Sequence, residues 1–141
     1  METMTMGAAP TRANRLLFWT ATGLLAFGMI FGGLSQLFRA SWNVEGLLHL
    51  GYPLYVITII AFWKLAGIVV VLLPGRPLAK EWAYAGLFFL LTSAWASHLA
   101  AGDGFLRALP PLVFAGLTAA SWHLRPAERR LGGGAGRGQA S

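Results

Sequence analysis

The sequence predicts an all-α protein, a bundle of four transmembrane helices with a short interfacial amphipathic helix between the first two. Two observations support this fold class. Only 11% of the 141 residues are charged and 56% are hydrophobic, whereas a water-soluble domain carries about a quarter charged residues. The apolar residues are also concentrated in four stretches, three of which reach the roughly 20 residues that a membrane-spanning helix needs.

The first apolar stretch, Leu16–Phe38, contains no charged residue. It carries Gly28 and Gly32 at the GxxxG spacing, which permits close contact between membrane helices. Arg12 and Arg15 resemble the basic start of a secretory signal, but the stretch exceeds the usual apolar core of about 7–15 residues and lacks a clear A-x-A cleavage site. We therefore expect this helix to be retained.

The segment after the first stretch predicts the short amphipathic helix. Apolar residues recur on one helical face from Val44 onward, whereas Glu45 and His49 share another face at i and i+4. Asn43 is the expected N-cap. Trp42 is an expected anchor in the membrane interface, so we predict that this helix lies in the plane of the interface.

The next two apolar stretches predict the second and third spans. One lies between Pro53 and Pro74, and Lys64 is its only charged residue. The other is Trp82–Ala101, which has no charge beyond a possible one on His98. Both have the length of a transmembrane helix.

The fourth stretch, Leu109–Leu124, is shorter than the other three. We expect this helix to begin at Pro110 and Pro111, because a proline at the start of a helix loses no internal hydrogen bond. To cross the membrane, it must tilt little, thin the bilayer locally, or extend to include Phe105 and Leu106.

Positive charge is distributed unequally between the two sides of the predicted membrane domain. Both ends of the chain and the connection between the second and third spans carry most of the Lys and Arg residues, namely Arg12, Arg15, Arg76, Lys80, Arg125, Arg129, Arg130 and Arg137. This bias predicts that both termini are cytoplasmic. It also explains the net charge of +6, because basic residues on the cytoplasmic side are attracted to anionic lipid. No nucleic-acid partner is needed to explain this charge.

The chain divides into three predicted segments. Residues 1–15 are a flexible cytoplasmic lead, residues 16–125 form the membrane domain, and residues 126–141 are a Gly-rich cytoplasmic tail that we expect to be disordered. The chain contains no cysteine, which excludes disulfides and Cys-ligated metals.

Lys64 is the main functional candidate. It lies about midway between Pro53 and Pro74, on the order of 15 Å from either interface at 1.5 Å per residue. A lysine at this depth costs about 2.5–3.5 kcal/mol on the translocon scale. No acidic residue is expected at the same depth, so Ser93 or Thr92 of the third span is the expected partner.

Two interpretations of Lys64 remain open. It is either an internal polar tie within the bundle or the contact for an anionic or carbonyl-bearing ligand. Because ionisable residues inside membranes are usually functional, we favour the ligand.

Four polar residues at the predicted outer end form a second candidate site: His49, Glu45, His98 and Asp103. They are expected to lie near one another and to form a metal or proton site, or simply interfacial histidines with loop partners. Their spacing is not that of a metal motif, so we predict no metal ligands.

Six short motifs distributed along the chain resemble the DoxX-like family of small bacterial membrane proteins. They are "HLGYPLY" at 49–55, "KLAG" at 64–67, "KEWAYAGLFF" at 80–89, "SHLAAGD" at 97–103, "LPPLVF" at 109–114 and "LRP" at 124–126. The resemblance runs from about Leu16 to Arg130. It implies a four-helix bundle in the bacterial cytoplasmic (inner) membrane.

The family takes its name from a subunit associated with a thiosulfate:quinone oxidoreductase. The resemblance therefore implies quinone as a candidate cofactor and a membrane oxidoreductase as a candidate partner. This chain differs from many relatives at two positions. It has Gln36 where they carry a lysine, and Leu90 where they carry an acid.

Three functions follow as hypotheses. The first is a redox-linked or quinone-associated accessory subunit with Lys64 facing the ligand. The second is a non-catalytic membrane interaction or assembly protein that docks through the segment 41–53. A small transporter acting as a homo-oligomer is the least favoured, because no broken helix is evident. The sequence shows no acid–base pair, nucleophile–base pair or cofactor motif, which disfavours a stand-alone enzyme.

Overall fold

The computed structural model describes residues 11–133 and contains five α-helices and a terminal 3-10 turn. The helices are α1 (Arg12–Leu37), α2 (Ser41–His49), α3 (Leu54–Leu72), α4 (Pro77–Ala100) and α5 (Phe105–His123), and the turn is Ala127–Arg129. Helices α1, α3, α4 and α5 are long and apolar enough to cross a membrane. The predicted fold class, including the short helix between the first two spans, is confirmed.

The four long helices pack in a ring in which α1 contacts α3 and α5, and α4 contacts the same two helices. The start of α1, the α3–α4 connection and the end of α5 lie together at one end, called here the terminal end. Helix α2 and the α4–α5 turn lie at the other, the α2 end. Small and aliphatic side chains such as Leu25, Ile68 and Ala115 fill the core, while Phe27 and Trp82 are exposed, as expected for helices that face lipid.

Helix α5 begins at Phe105, and Gly104 precedes it with a φ of 81°. The extension to Phe105 and Leu106, one of the expected ways for the fourth stretch to cross the membrane, is therefore confirmed. The expectation that Pro110 and Pro111 begin this helix is wrong, because both lie inside it. These prolines have no N–H to donate to the carbonyls four residues earlier in the helix. Those carbonyls lie in the first turn, where Leu106 is 82% exposed. The extension gives α5 the 19 residues that a span requires.

Helix α2 lies where it was predicted, but Asn43 is not its N-cap. The helix begins at Ser41, and its N-cap residue, Ala40, makes no side-chain hydrogen bond. The Asn43 side chain instead accepts a hydrogen bond from Gln36 of α1, 3.2 Å away. Val44 is the buried residue of α2.

The C-terminal segment folds back on the bundle as far as the structure describes it. Arg129 donates to the carbonyl of Val71 at 3.3 Å, and Arg130 donates to the carbonyl of Arg125 at 2.7 Å. This differs from the disorder expected from residue 126 onward, because the glycine-rich composition begins only after these arginines. Residues 134–141, and residues 1–10 of the predicted flexible lead, lie outside the described part.

Candidate functional site

A cavity of about 1320 Å³, open at the surface of the bundle, is lined by residues from all five α-helices. It extends from α2 towards the start of α4, with Trp42 and Trp82 among its lining residues. None of the described residues that line it is an aspartate or a glutamate. The polar and ionisable side chains on its wall are Gln36, Asn43, Tyr52, Lys64, Ser93, His98 and Arg107.

The two glycines of the GxxxG motif in α1 have different roles. A Cβ on Gly28 would overlap the ring of Phe114, so this glycine permits close packing of α1 on α5. A Cβ on Gly32 would lie 3.8 Å from the amine of Lys64, which is ordinary van der Waals contact. Gly32 therefore leaves the space beside this amine open.

Lys64 is connected to α1 and α2 by a short chain of hydrogen bonds. Its Nζ donates to Gln36 Oε1 at 3.3 Å, and Gln36 Nε2 donates to Asn43 Oδ1 at 3.2 Å. Gln36 is only 4% exposed. An ammonium has three N–H donors, so two of those on Lys64 have no hydrogen-bond partner among residues 11–133.

The expected hydroxyl partners do not bind Lys64. Thr92 donates to the carbonyls of Phe88 and Phe89 in its own helix. Ser93 lines the cavity, but its hydroxyl makes no hydrogen bond within the described residues. Sequence reasoning noted Gln36 only as a difference from relatives and did not expect it to be the partner of Lys64, because it lies near the end of the first apolar stretch. The sequence signal that could have identified this partner is that Gln36 is the single amide side chain in that stretch.

The α2 end holds a cluster around Asp103, whose side chain is only 4% exposed. His49 donates to one carboxylate oxygen at 2.6 Å and His98 Nδ1 donates to the other at 2.8 Å. Arg107 lies 3.9 Å away. Hydrogen bonds from His49 and His98 hold the pKa of Asp103 below its usual range.

The structure thus brings together three of the four polar candidates at this end, His49, His98 and Asp103. Glu45 is exposed and forms no ion pair with another described residue. Of these four, His98 alone also lines the large cavity. Within residues 11–133, no group of three or more His, Cys, Asp or Glu side chains is arranged to hold a metal.

At the terminal end, the amine of Lys80 is a buried cap for α3. It donates to the carbonyls of Val70 at 2.9 Å and Val71 at 2.8 Å, and also to that of Leu73. The last carbonyls of a helix have no partner within the helix, and Lys80 satisfies three of them. Its side chain is 1% exposed.

Arg125 is the second buried cation at this end. Its Nη2 lies 2.6 Å from Glu81 Oε1, and its guanidinium stacks over the ring of Tyr84. The Tyr84 hydroxyl lies 2.8 Å from that of Ser121, which lies 2.6 Å from that of Thr22. Sequence reasoning missed this cluster, because charges at helix ends are usually exposed and set only the topology.

The arrangement is suited to binding an amphipathic ligand. An apolar wall surrounds an amine with spare donors, and no carboxylate among the described lining residues neutralises it. A carbonyl or anionic oxygen is the complementary group.

Comparison with known proteins identifies the family. No curated protein and no solved structure matches the chain. The model of the DoxX-like family matches residues 20–121, which cover most of the four long helices. The chain therefore belongs to the DoxX-like family, as a multi-pass membrane protein.

Proposed function

We propose that this protein binds a quinone-type ligand in the large cavity and acts as a redox-linked accessory subunit of a membrane oxidoreductase. Its place would be the bacterial cytoplasmic membrane, with both termini in the cytoplasm, as the distribution of Lys and Arg favours. The observation that carries the proposal is the amine of Lys64, which lines the cavity and whose one hydrogen-bond partner among residues 11–133 is the neutral side chain of Gln36.

The energetics of Lys64 favour an additional partner. A charged lysine at the membrane centre costs about 2.5–3.5 kcal/mol. One hydrogen bond to a charged group is worth about 1.5–3 kcal/mol, and the bond to Gln36 is long, at 3.3 Å. A ligand oxygen that accepts from a second donor would offset the remaining cost.

The apolar part of the cavity supports a lipophilic ligand. Its volume of about 1320 Å³ exceeds the usual range of about 300–1,000 Å³ for small-molecule sites, which leaves room for a ring and part of an apolar tail. Phe31 and Trp42, whose rings stack 5.5 Å apart, both line the cavity and are more than half exposed. Since this surface faces lipid, a ligand dissolved in the bilayer has a lateral entrance.

The proposal is tested by titrating the protein, reconstituted in lipid nanodiscs, with a short-chain benzoquinone. The Lys64→Met variant should weaken binding by about 10- to 100-fold, the effect of losing a hydrogen bond from a charged donor. Gly32→Leu should also weaken binding, because the leucine fills the space beside an intact Lys64.

Gly23→Leu is the matched control on the same helix, since a Cβ there contacts nothing and Gly23 does not line the cavity. This variant should bind as the wild type does. Equal affinities for the wild type and Lys64→Met, or no binding to any of the proteins, would contradict the proposal.

A second candidate function, a membrane interaction or assembly protein, is favoured by α2. This helix exposes Trp42 and Leu48 and buries Val44. If α2 is a docking surface, the same proteins should copurify with the wild type and with Lys64→Met, and Trp42→Ala should lose them. Loss of those partners from Lys64→Met alone would argue against this function.

A further inference from the structure

On the basis of the ligand site proposed above, we propose that His98, positioned by Asp103, accepts a proton from a hydroxyl group of the ligand. This deepens the proposed function by naming the ligand class as a ring that carries hydroxyl groups in its reduced form, such as a hydroquinone. His98 lines the same cavity as Lys64, so the cavity offers a ligand both a hydrogen-bond donor and an acceptor.

The hydrogen bond to Asp103 determines which nitrogen of His98 can accept a proton. A carboxylate only accepts hydrogen bonds, so the contact of 2.8 Å places a proton on Nδ1. In the neutral imidazole, Nε2 then carries a lone pair, and Nε2 makes no hydrogen bond to any residue from 11 to 133. A carboxylate behind an imidazole also stabilises the imidazolium that forms when Nε2 takes a proton.

The charges around the cavity favour this proton transfer. The O–H bond of the ligand breaks and an Nε2–H bond forms, which leaves an imidazolium beside the carboxylate of Asp103 and an anionic oxygen on the ligand. Lys64 and Arg107 are the Lys and Arg side chains among the described lining residues, and we assign to them the stabilisation of this anion. No electron is transferred in this step.

Other ionisable groups near His98 come from each neighbouring element. His49 of α2 occupies the other oxygen of the Asp103 carboxylate at 2.6 Å. Glu45 of α2 is exposed and forms no ion pair with them. The titratable or charged groups that share the cavity or the cluster with His98 are His49, Tyr52, Lys64, Asp103 and Arg107.

The experiment compares two probes, a short-chain benzoquinone and its hydroquinone, kept reduced without oxygen and titrated into the full-length protein in nanodiscs. Between about pH 8 and about pH 5, where a histidine acquires its charge, hydroquinone affinity should fall by about tenfold, the effect of roughly one hydrogen bond. The quinone, which has no proton to give, should show no such fall.

Variants assign the effect to His98. His98→Gln should remove the pH dependence, because its amide does not titrate. The matched control is His49→Gln, since His49 contacts the same carboxylate but does not line the large cavity, and it should retain the pH dependence. Asp103→Asn should weaken hydroquinone binding at pH 8, because an amide can donate to Nδ1 and leave the proton on Nε2, which then cannot accept; this result remains informative if His98→Gln fails to fold.

The outcomes distinguish this inference from the proposed function. If the quinone binds in a Lys64-dependent way and hydroquinone affinity does not respond to pH, His98 is not the acceptor and the proposed function stands. A pH response that persists in His98→Gln would also overturn the inference. If neither probe binds, the proposed function itself fails and this inference fails with it.

Discussion

Replacing Lys80 with methionine tests whether this buried amine caps α3. The amine donates to three carbonyls at the end of that helix, and each hydrogen bond to a charged group is worth about 1.5–3 kcal/mol. Part of this is offset, because methionine is easily buried and because the Val71 carbonyl keeps a hydrogen bond from Arg129 at 3.3 Å. We therefore expect the free energy of unfolding to fall by about 2–4 kcal/mol.

The control for this variant is Arg76→Met. Arg76 carries the same charge at the same end of the bundle, but it is exposed and its side chain makes no hydrogen bond within the described residues. Its loss should change stability by less than about 0.5 kcal/mol.

Both free energies can be measured by reversible unfolding in mixed micelles of mild detergent and dodecyl sulfate, followed by helical circular dichroism. Equal stabilities for Lys80→Met and the wild type, or equal losses in both variants, would refute the capping role.

Three further predictions concern stability. Gly28→Ala should destabilise the bundle by about 1–3 kcal/mol, because its Cβ would overlap an aromatic ring of α5; an unchanged denaturation midpoint would show that the ring moves aside. Glu81→Gln removes the ionic partner of Arg125, which is 4% exposed, and should cost about 1–3 kcal/mol; the same unfolding assay measures this. The pKa of Asp103 is held below its usual range. The stabilisation of the fold by its carboxylate is therefore complete above about pH 4 and is lost as the pH falls through the lowered pKa. The free energy of unfolding should therefore fall less on acidification in Asp103→Asn than in the wild type. Equal losses in the two proteins would contradict this.

The positions of the four spans could be predicted from the sequence because hydropathy is a property of each residue. The helix boundaries were harder to predict where a local preference conflicts with a requirement of the whole fold. Pro110 and Pro111 favour a helix start, yet α5 includes both, because the chain must gain enough length to cross the membrane. Local preference is weak against that requirement.

The importance of Lys64 could also be inferred from the sequence, whereas its partner could not. A charge in an apolar stretch can be recognised in the sequence. The contact with Gln36 cannot, because it depends on how α1 and α3 pack and on where α2 turns back. The burial of Lys80 was hidden for a similar reason, since a lysine at a helix end is usually solvated. The meeting of His49, His98 and Asp103 was foreseeable, because all three were expected at the same end.

The central claim is that Lys64 faces a quinone-type ligand within the bundle. The most direct test is the quinone content of the tagged protein purified from its native membrane, measured by mass spectrometry of the extracted lipids beside the Lys64→Met variant. We predict that quinone is enriched with the wild type and lost from a folded Lys64→Met. Equal quinone in both preparations, or none in either, would contradict the claim and leave Lys64 as an internal polar tie.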